Sequence, residues 1–131
     1  MESLCINNLI RKYLGHKYDF KEFNCYTFVT QWYKDLGYEL PNYFLDDPKW
    51  YEHGKNYFIE EYYKLWDKME KPMVNDIVLM RLLSPVPNHI GIYIGERRFI
   101  HCPENQGVVV GDLKKYERII YGYFHLRNMC L

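Results

Sequence analysis

Cys25 is the residue of this sequence best placed for covalent chemistry. It follows Asn24, a favoured helix N-cap, and opens an apolar run at helical spacing that stops before Gly37. A helix start offers unpaired N–H groups and a positive dipole end, and both stabilise the reactive thiolate. The position therefore predicts a nucleophile. A small buried cysteine is the alternative, and it is our interpretation of Cys5, Cys102 and Cys130.

Two histidines follow in strand-like segments. His89 opens the run HIGIYI, and His101 closes RFIH twelve residues later. A histidine fixed at a strand end suits a general base, and a third polar group that holds its ring completes the arrangement. An ordinary surface histidine is the alternative for each. The other histidines are interpreted as structural or solvated: His16, His53 and His125.

The spacing of the two histidines predicts an irregular hairpin. A two-residue turn at Glu96-Arg97 would pair Ile92 with His101, which places His89 and His101 on opposite faces. They share a face only if the hairpin holds one extra residue. We therefore predict a bulge or a longer loop between them.

Composition excludes several classes of function. The chain has 131 residues, enough for one domain, with 48% apolar and 26% charged residues. Lys+Arg 17 and Asp+Glu 17 give no net charge, so nucleic acid is not an expected partner. The apolar runs are too short to span a membrane, and the start Met1-Glu2-Ser3 predicts no secretory signal.

No cofactor is expected, because the sequence has no phosphate-binding glycine loop and no Cys-x-x-Cys pair. A metal site built from His89, His101 and Cys102 is an alternative. Their spacing matches no common zinc pattern. The prediction is therefore that the protein holds no metal.

The elements that must position these residues follow a simple order. Helices are predicted at about 4–14, capped by Ser3, at 25–36 and at 57–69. Strands are predicted at 76–83, 89–94, 98–101, 108–110 and 119–126. Helices followed by antiparallel strands predict an α+β domain.

Taken together, these segments resemble the NlpC family of papain-like cysteine peptidases. The resemblance rests on FNCYTFV at 23–29, NDIVL at 75–79, HIGIYIG at 89–95, RFIH at 98–101 and GVVV at 107–110. It implies a papain-like NlpC-type α+β fold, with N-terminal helices packed on a small antiparallel sheet of about five strands. It also implies a single domain over 1–131, with a helical insertion at about 39–72.

The resemblance also implies roles for particular residues. Cys25 is the expected nucleophile, His89 the general base and acid, and His101 the orienting residue. Tyr18 matches a tyrosine that faces the oxyanion in the family, and the N–H of Cys25 would be the second donor. Many relatives carry Asp-Cys-Ser-Gly, whereas this chain has Asn-Cys-Tyr-Thr at 24–27. Asn24 and Tyr26 are therefore expected to contact the substrate in a different way.

Enzymes of this family hydrolyse amide bonds in the stem peptides of bacterial peptidoglycan. A compact chain with this altered motif is similar in character to the tail-associated peptidases of bacteriophages. The expected protein is thus made in the host cytoplasm and incorporated in a phage tail. Its expected substrate is a peptidoglycan peptide.

Two other functions remain open at this point. The first is a structural tail component with little catalysis, in which aromatic rings of segment 43–66 contact other tail proteins. The alternative for these rings is that they form a small core of their own. These rings are Tyr43, Phe44, Trp50, Tyr51, Tyr57, Tyr63 and Trp66. The motif Asn-Cys-x-x-Phe-Val also resembles lecithin:retinol acyltransferase relatives. In those proteins the histidines precede the cysteine, so the order here favours the peptidase.

Overall fold

Helices precede an antiparallel sheet in the computed structural model, which describes residues 5–41 and 64–127. The helices are α1 Ile6–Tyr13, α2 Cys25–Asp35 and a short α3 Leu113–Tyr116. The strands are β1 Trp66–Met69, β2 Ile77–Met80, β3 His89–Gly95, β4 Arg98–His101, β5 Val109–Asp112 and β6 Ile120–Leu126. The predicted α+β fold is confirmed, with one strand more than expected.

The six strands lie in the order β1-β6-β2-β3-β4-β5, and every neighbouring pair is antiparallel. This order places β3 between β2 and β4. The strand that begins with His89 therefore lies beside the strand that ends with His101. Among the described residues, no helix is long and apolar enough to cross a membrane.

The additional strand corrects the prediction of a helix over 57–69. Residues 66–69 pair with β6, and Trp66 at their start is buried. Pairing with a distant strand has overridden the local helical spacing in this segment. Residues 64–65 of that predicted helix are helical, and the rest of it, 57–63, lies outside the described residues, as does the predicted cap Ser3.

Helix α2 is closed at both ends as its sequence predicts. The Asn24 side chain accepts the N–H groups of Tyr26 at 3.0 Å and Thr27 at 2.9 Å, and Thr27 Oγ1 accepts the Asn24 N–H at 2.7 Å. This reciprocal capping box satisfies three donors at the helix start. Gly37, at φ +96°, ends the helix in a conformation that favours glycine.

The sheet is buried on both faces near its centre. On one face, Ile90, Ile92 and Ile100 form a cluster with apolar side chains of α2, among them Phe28 and Trp32. On the other face, Val78, Met80, Phe99 and Leu113 form a second cluster. Each such buried side chain contributes roughly 1.5–3 kcal/mol. Two-sided burial explains why β2 is apolar throughout rather than alternating.

The hairpin between β3 and β4 contains the predicted extra residue. Gly91 pairs with His101 and Tyr93 with Phe99, but Gly95 pairs with Arg98, which leaves Ile94 without an opposite residue. Gly91 and His101 thus lie on one face, and His89 shares that face because it precedes Gly91 by two residues. The irregularity brings both histidines to the same side of the sheet.

Asp76, just before β2, forms a second polar centre. Its side chain is buried; Oδ2 accepts the N–H of Met73 at 2.8 Å, and Oδ1 lies 2.6 Å from His125 Nδ1. His125 is on β6, so this contact joins two neighbouring strands. It gives His125 a structural partner that its sequence position did not reveal.

The free cysteines differ in exposure. Cys102 is buried, as predicted, but Cys5 is exposed at the start of α1. The expectation of a buried thiol is wrong for Cys5, because it lies at the N-cap rather than on the apolar stripe of the helix. Cys130 and His53 lie outside the described residues.

Candidate active site

Cys25 is the first residue of α2 and is partly exposed. Burial raises the pKa of its thiol to about 11, while hydrogen bonding to the backbone N–H groups of Ile90, Tyr26 and Cys25 itself lowers it. Two of these N–H groups belong to the helix start, as predicted. Since burial outweighs them, the thiol is protonated in the resting protein.

The N–H of Ile90 links the cysteine to the sheet. The last β3–β4 pair is Gly91 with His101, so Ile90 lies one residue beyond the end of β4. Its backbone is therefore not covered by β4, and the sulfur of Cys25 lies beside it. This places the thiol next to the residue that follows His89.

His89 and His101 form a buried hydrogen-bonded pair. Nε2 of His89 lies 2.7 Å from Nδ1 of His101, and the two residues are 5% and 2% exposed. Burial lowers the pKa of His89 to about 3, and the charge of His101 adds to this shift. Burial also lowers the pKa of His101 to about 4. Both imidazoles are therefore neutral near pH 7.

Tyr18 lies partly buried in the loop between α1 and α2 and, like Cys25, packs against the core cluster beneath α2. Burial raises the pKa of its hydroxyl, and the charge of the Cys25 thiolate raises it further. Tyr18 and Cys25 thus pack against the same core cluster, and the raised pKa keeps the Tyr18 hydroxyl protonated.

Asn24 and Tyr26 have internal partners. The Asn24 amide caps the helix through Oδ1 and donates through Nδ2 to the carbonyl of Phe20 at 2.7 Å. The buried Tyr26 donates its hydroxyl to the carbonyl of Pro41 at 2.6 Å. These contacts favour a structural role for both residues over the predicted contact with substrate.

Cys102 does not join the histidines. It follows His101 directly, so its side chain points to the opposite face, where Sγ donates to the carbonyl of Phe23 at 3.9 Å. Within 5–41 and 64–127, no three His, Cys, Asp or Glu side chains are grouped to hold a metal ion.

The aromatic segment 43–66 is described only at its end. Trp66 is 3% exposed and packs edge-to-face on Tyr33, with ring centroids 5.5 Å apart. It therefore belongs to the core rather than to a docking surface. The other rings of the segment lie outside the described residues: Tyr43, Phe44, Trp50, Tyr51, Tyr57 and Tyr63.

Sequence reasoning missed two parts of this site. One is the Ile90 amide, which becomes visible only when the end of β4 is known. The other is a pair of rings around His101, contributed by Phe99 and Tyr116. Phe99 is two residues before His101 on the same strand face, so its position was readable; Tyr116 comes from α3, which the sequence did not indicate.

A family model described as the NlpC/P60 family matches residues 12–122. The tail tip assembly protein K of Escherichia phage lambda is 27% identical over 92 residues, which cover 66% of this chain and 45% of that protein. The match thus spans less than half the length of that curated relative.

Solved structures with the same fold come from several sources. An NLP/P60-family protein similar to a lipoprotein, from Staphylococcus aureus, has a TM-score of 0.65 and 20% identity, over 92% of this chain and 40% of that one. The NlpC/p60 domain of the peptidoglycan hydrolase SagA has a TM-score of 0.63 and 17% identity, over 92% of this chain and 96% of that domain. An NlpC/P60 protein from Bacillus cereus has a TM-score of 0.63 and 19% identity, over 93% of this chain and 40% of that one.

Proposed function

The chain belongs to the NlpC/P60 family, and from this premise we propose that it is a cysteine peptidase that cleaves amide bonds in the stem peptides of bacterial peptidoglycan. One observation carries the proposal. A buried imidazole pair, joined at 2.7 Å, lies at the start of β3, beside a cysteine that opens a capped helix. These are the groups that covalent amide hydrolysis requires.

In this proposal the two nitrogens of His89 have different tasks. Nε2 is engaged with His101, so Nδ1 is the nitrogen that exchanges protons with Cys25. The thiol proton passes to Nδ1 while sulfur attacks the carbonyl carbon. His89 then gives this proton to the leaving amine as the C–N bond breaks, and an acyl-enzyme remains. Water, deprotonated by His89, releases the peptide acid and restores the thiol.

The resting protonation states set the order of these events. The pKa of the thiol is raised to about 11, and that of His89 is lowered to about 3, so the proton stays on sulfur in the resting protein. Proton transfer is therefore coupled to attack on the bound carbonyl. Once formed, the oxyanion accepts hydrogen bonds from the Cys25 N–H and the Tyr18 hydroxyl. The raised pKa of Tyr18 keeps that hydroxyl a donor.

The similarity to a tail tip assembly protein supports a place in a bacteriophage tail. We propose that the chain acts there as an endopeptidase, with other tail proteins as partners. An assembly role with little catalysis is the second candidate, and the same similarity supports it.

Digestion of purified peptidoglycan separates the two candidates. Reduced wild-type protein is incubated with peptidoglycan of several stem-peptide types, and released fragments are identified by mass spectrometry. Cys25→Ala should release none, whereas Cys5→Ala, which changes an exposed thiol, should match wild type. Absence of release by wild type from every type would contradict the peptidase and favour the assembly role.

A further inference from the structure

The Nε2 atom of His101 is the starting point for a further inference. It is buried, and it has no hydrogen-bond partner among the described residues. The other ring nitrogen of His101 bonds to His89. A neutral imidazole carries one proton, so the proton of His101 is either on the orphan Nε2 or in the hydrogen bond with His89.

Two aromatic rings enclose His101. Its centroid lies 4.4 Å from that of Phe99 and 5.8 Å from that of Tyr116, with interplanar angles of 44° and 80°. Phe99 and Tyr116 meet each other edge-to-face at 5.1 Å. We name these two rings the aromatic box. A π face attracts an N–H and repels a nitrogen lone pair, so the box favours a proton on Nε2.

The proposed chemistry requires the same tautomer. His89 must keep Nδ1 free of a proton to accept one from Cys25, so its own proton is on Nε2. That Nε2–H then donates to Nδ1 of His101, and the His101 proton is left on its Nε2. The aromatic surroundings and the proton count therefore agree independently.

We infer that Phe99 and Tyr116 are positioning residues, which hold His101 as its Nε2–H tautomer and so fix the direction of the hydrogen bond from His89. The inference deepens the proposed peptidase and rests on it for its catalytic consequence. The opposite tautomer would donate from His101 to His89. It would place the His89 proton on Nδ1, where it blocks transfer from the thiol.

Glycines on the flanking strands allow the box to close. A Cβ at Gly111 on β5 would lie 2.8 Å from Phe99 Cε1 and 3.3 Å from Tyr116 Cε2. A Cβ at Gly91 on β3 would lie 3.0 Å from both His101 Cβ and Phe99 Cδ2. The 2.8 Å approach is shorter than real Cβ contacts, and those at 3.0 and 3.3 Å require the neighbouring atoms to shift. The rings reach His101 because both neighbouring strands present a glycine there.

Nitrogen NMR tests the tautomer directly. Two-bond ¹H–¹⁵N correlation of labelled protein at pH 7 should show His101 protonated on Nε2 and unprotonated on Nδ1. Tyr116→Phe keeps the ring and should preserve this pattern. Tyr116→Leu should give a mixture of tautomers, and it should lower kcat on a peptidoglycan peptide by about tenfold with KM unchanged.

Tyr123→Leu is the matched control, because Tyr123 is a partly buried tyrosine of the same cluster without a ring contact to His101. It should leave both the tautomer and kcat as in wild type. A wild-type His101 protonated on Nδ1 overturns the inference, whether or not the Tyr116→Leu variant folds. So does an unchanged tautomer in folded Tyr116→Leu protein. Because the NMR signal needs no substrate, an inactive wild type with the expected tautomer would refute the peptidase and leave the positioning intact.

Discussion

Two histidine contacts join neighbouring strands of this sheet, and they differ in the partner of the histidine. His89 on β3 meets the imidazole of His101 on β4 at 2.7 Å, whereas His125 on β6 meets the carboxylate of Asp76 before β2 at 2.6 Å. The second contact forms an ion pair whenever His125 is protonated. The first contains no opposite charge, and burial lowers the pKa of both rings, which are therefore neutral near pH 7.

The difference in partner suits different tasks. A carboxylate that also accepts the Met73 N–H fixes one arrangement of the chain around the start of β2. Trp32 and Tyr33 of α2 reach the same place, through hydrogen bonds to the side chain and the carbonyl of Asn75. A pair of neutral imidazoles lacks such a fixed charge, so it suits the proposed reaction, in which a proton enters and leaves the pair. We therefore expect variants of the two contacts to separate catalysis from stability.

The largest effect is expected from His89→Ala. Loss of the only group proposed to accept the thiol proton should lower kcat by at least about 10³-fold. The protein should still fold, with a circular dichroism spectrum like that of wild type. Near-normal peptide release by this variant, measured with the mass-spectrometric assay, would contradict the assignment of the base.

Asp76→Asn should have the opposite effect, because it should lower stability while leaving activity nearly unchanged. It removes a buried charge that His125 and the Met73 N–H satisfy, so it should lower the free energy of unfolding by about 3 kcal/mol. The activity of the folded fraction should remain close to that of wild type. Urea unfolding, combined with kcat at low temperature, measures both quantities. A variant as stable as wild type would show that the contact does not secure this region.

His101→Ala should have an intermediate effect on catalysis. The base remains but loses the contact that orients it, so kcat should fall by roughly 10²-fold and leave a measurable remnant. His101→Asn, which retains a hydrogen-bond acceptor, should recover part of the loss. If His101→Ala is as inactive as His89→Ala, then His101 does more than orient its partner.

The smallest effect concerns pH. The pKa values of His89 and His101 are lowered in the folded protein to about 3 and about 4, below the value of about 6.5 expected when unfolded. Between these limits the unfolded chain binds more protons, so their contribution makes stability fall as pH decreases from about 6.5 to 4. A His89→Gln/His101→Gln variant should show a shallower fall in Tm over this window. An identical slope would place the pH dependence elsewhere.

The features that sequence predicts well in this protein are those set by near neighbours in the chain. The N-cap at Asn24 follows from a residue type directly before the helical run, and the hairpin irregularity follows from counting between His89 and His101. Strand β1 could not be foreseen in this way, because its partner is a segment about sixty residues away. The same holds for the site. Cys25, His89 and His101 can be picked out from the sequence as candidates. The Ile90 amide and the Tyr116 ring cannot, because they depend on where β4 ends and where α3 packs.

The unmatched Ile94 has a consequence for how this hairpin tolerates changes in length. Side chains alternate across a strand, so whether His89 and His101 share a face depends on whether the number of regularly paired residues between them is odd or even. Deletion of Ile94 would restore regular pairing and leave Gly91 opposite His101, so both histidines would keep the same face. Regular pairing with Ile94 retained would instead place Ile92 opposite His101 and turn His101 toward α2, without altering any residue of the site itself. Removal of the extra residue is therefore expected to preserve the relation between the two histidines, whereas its incorporation into regular pairing would separate them.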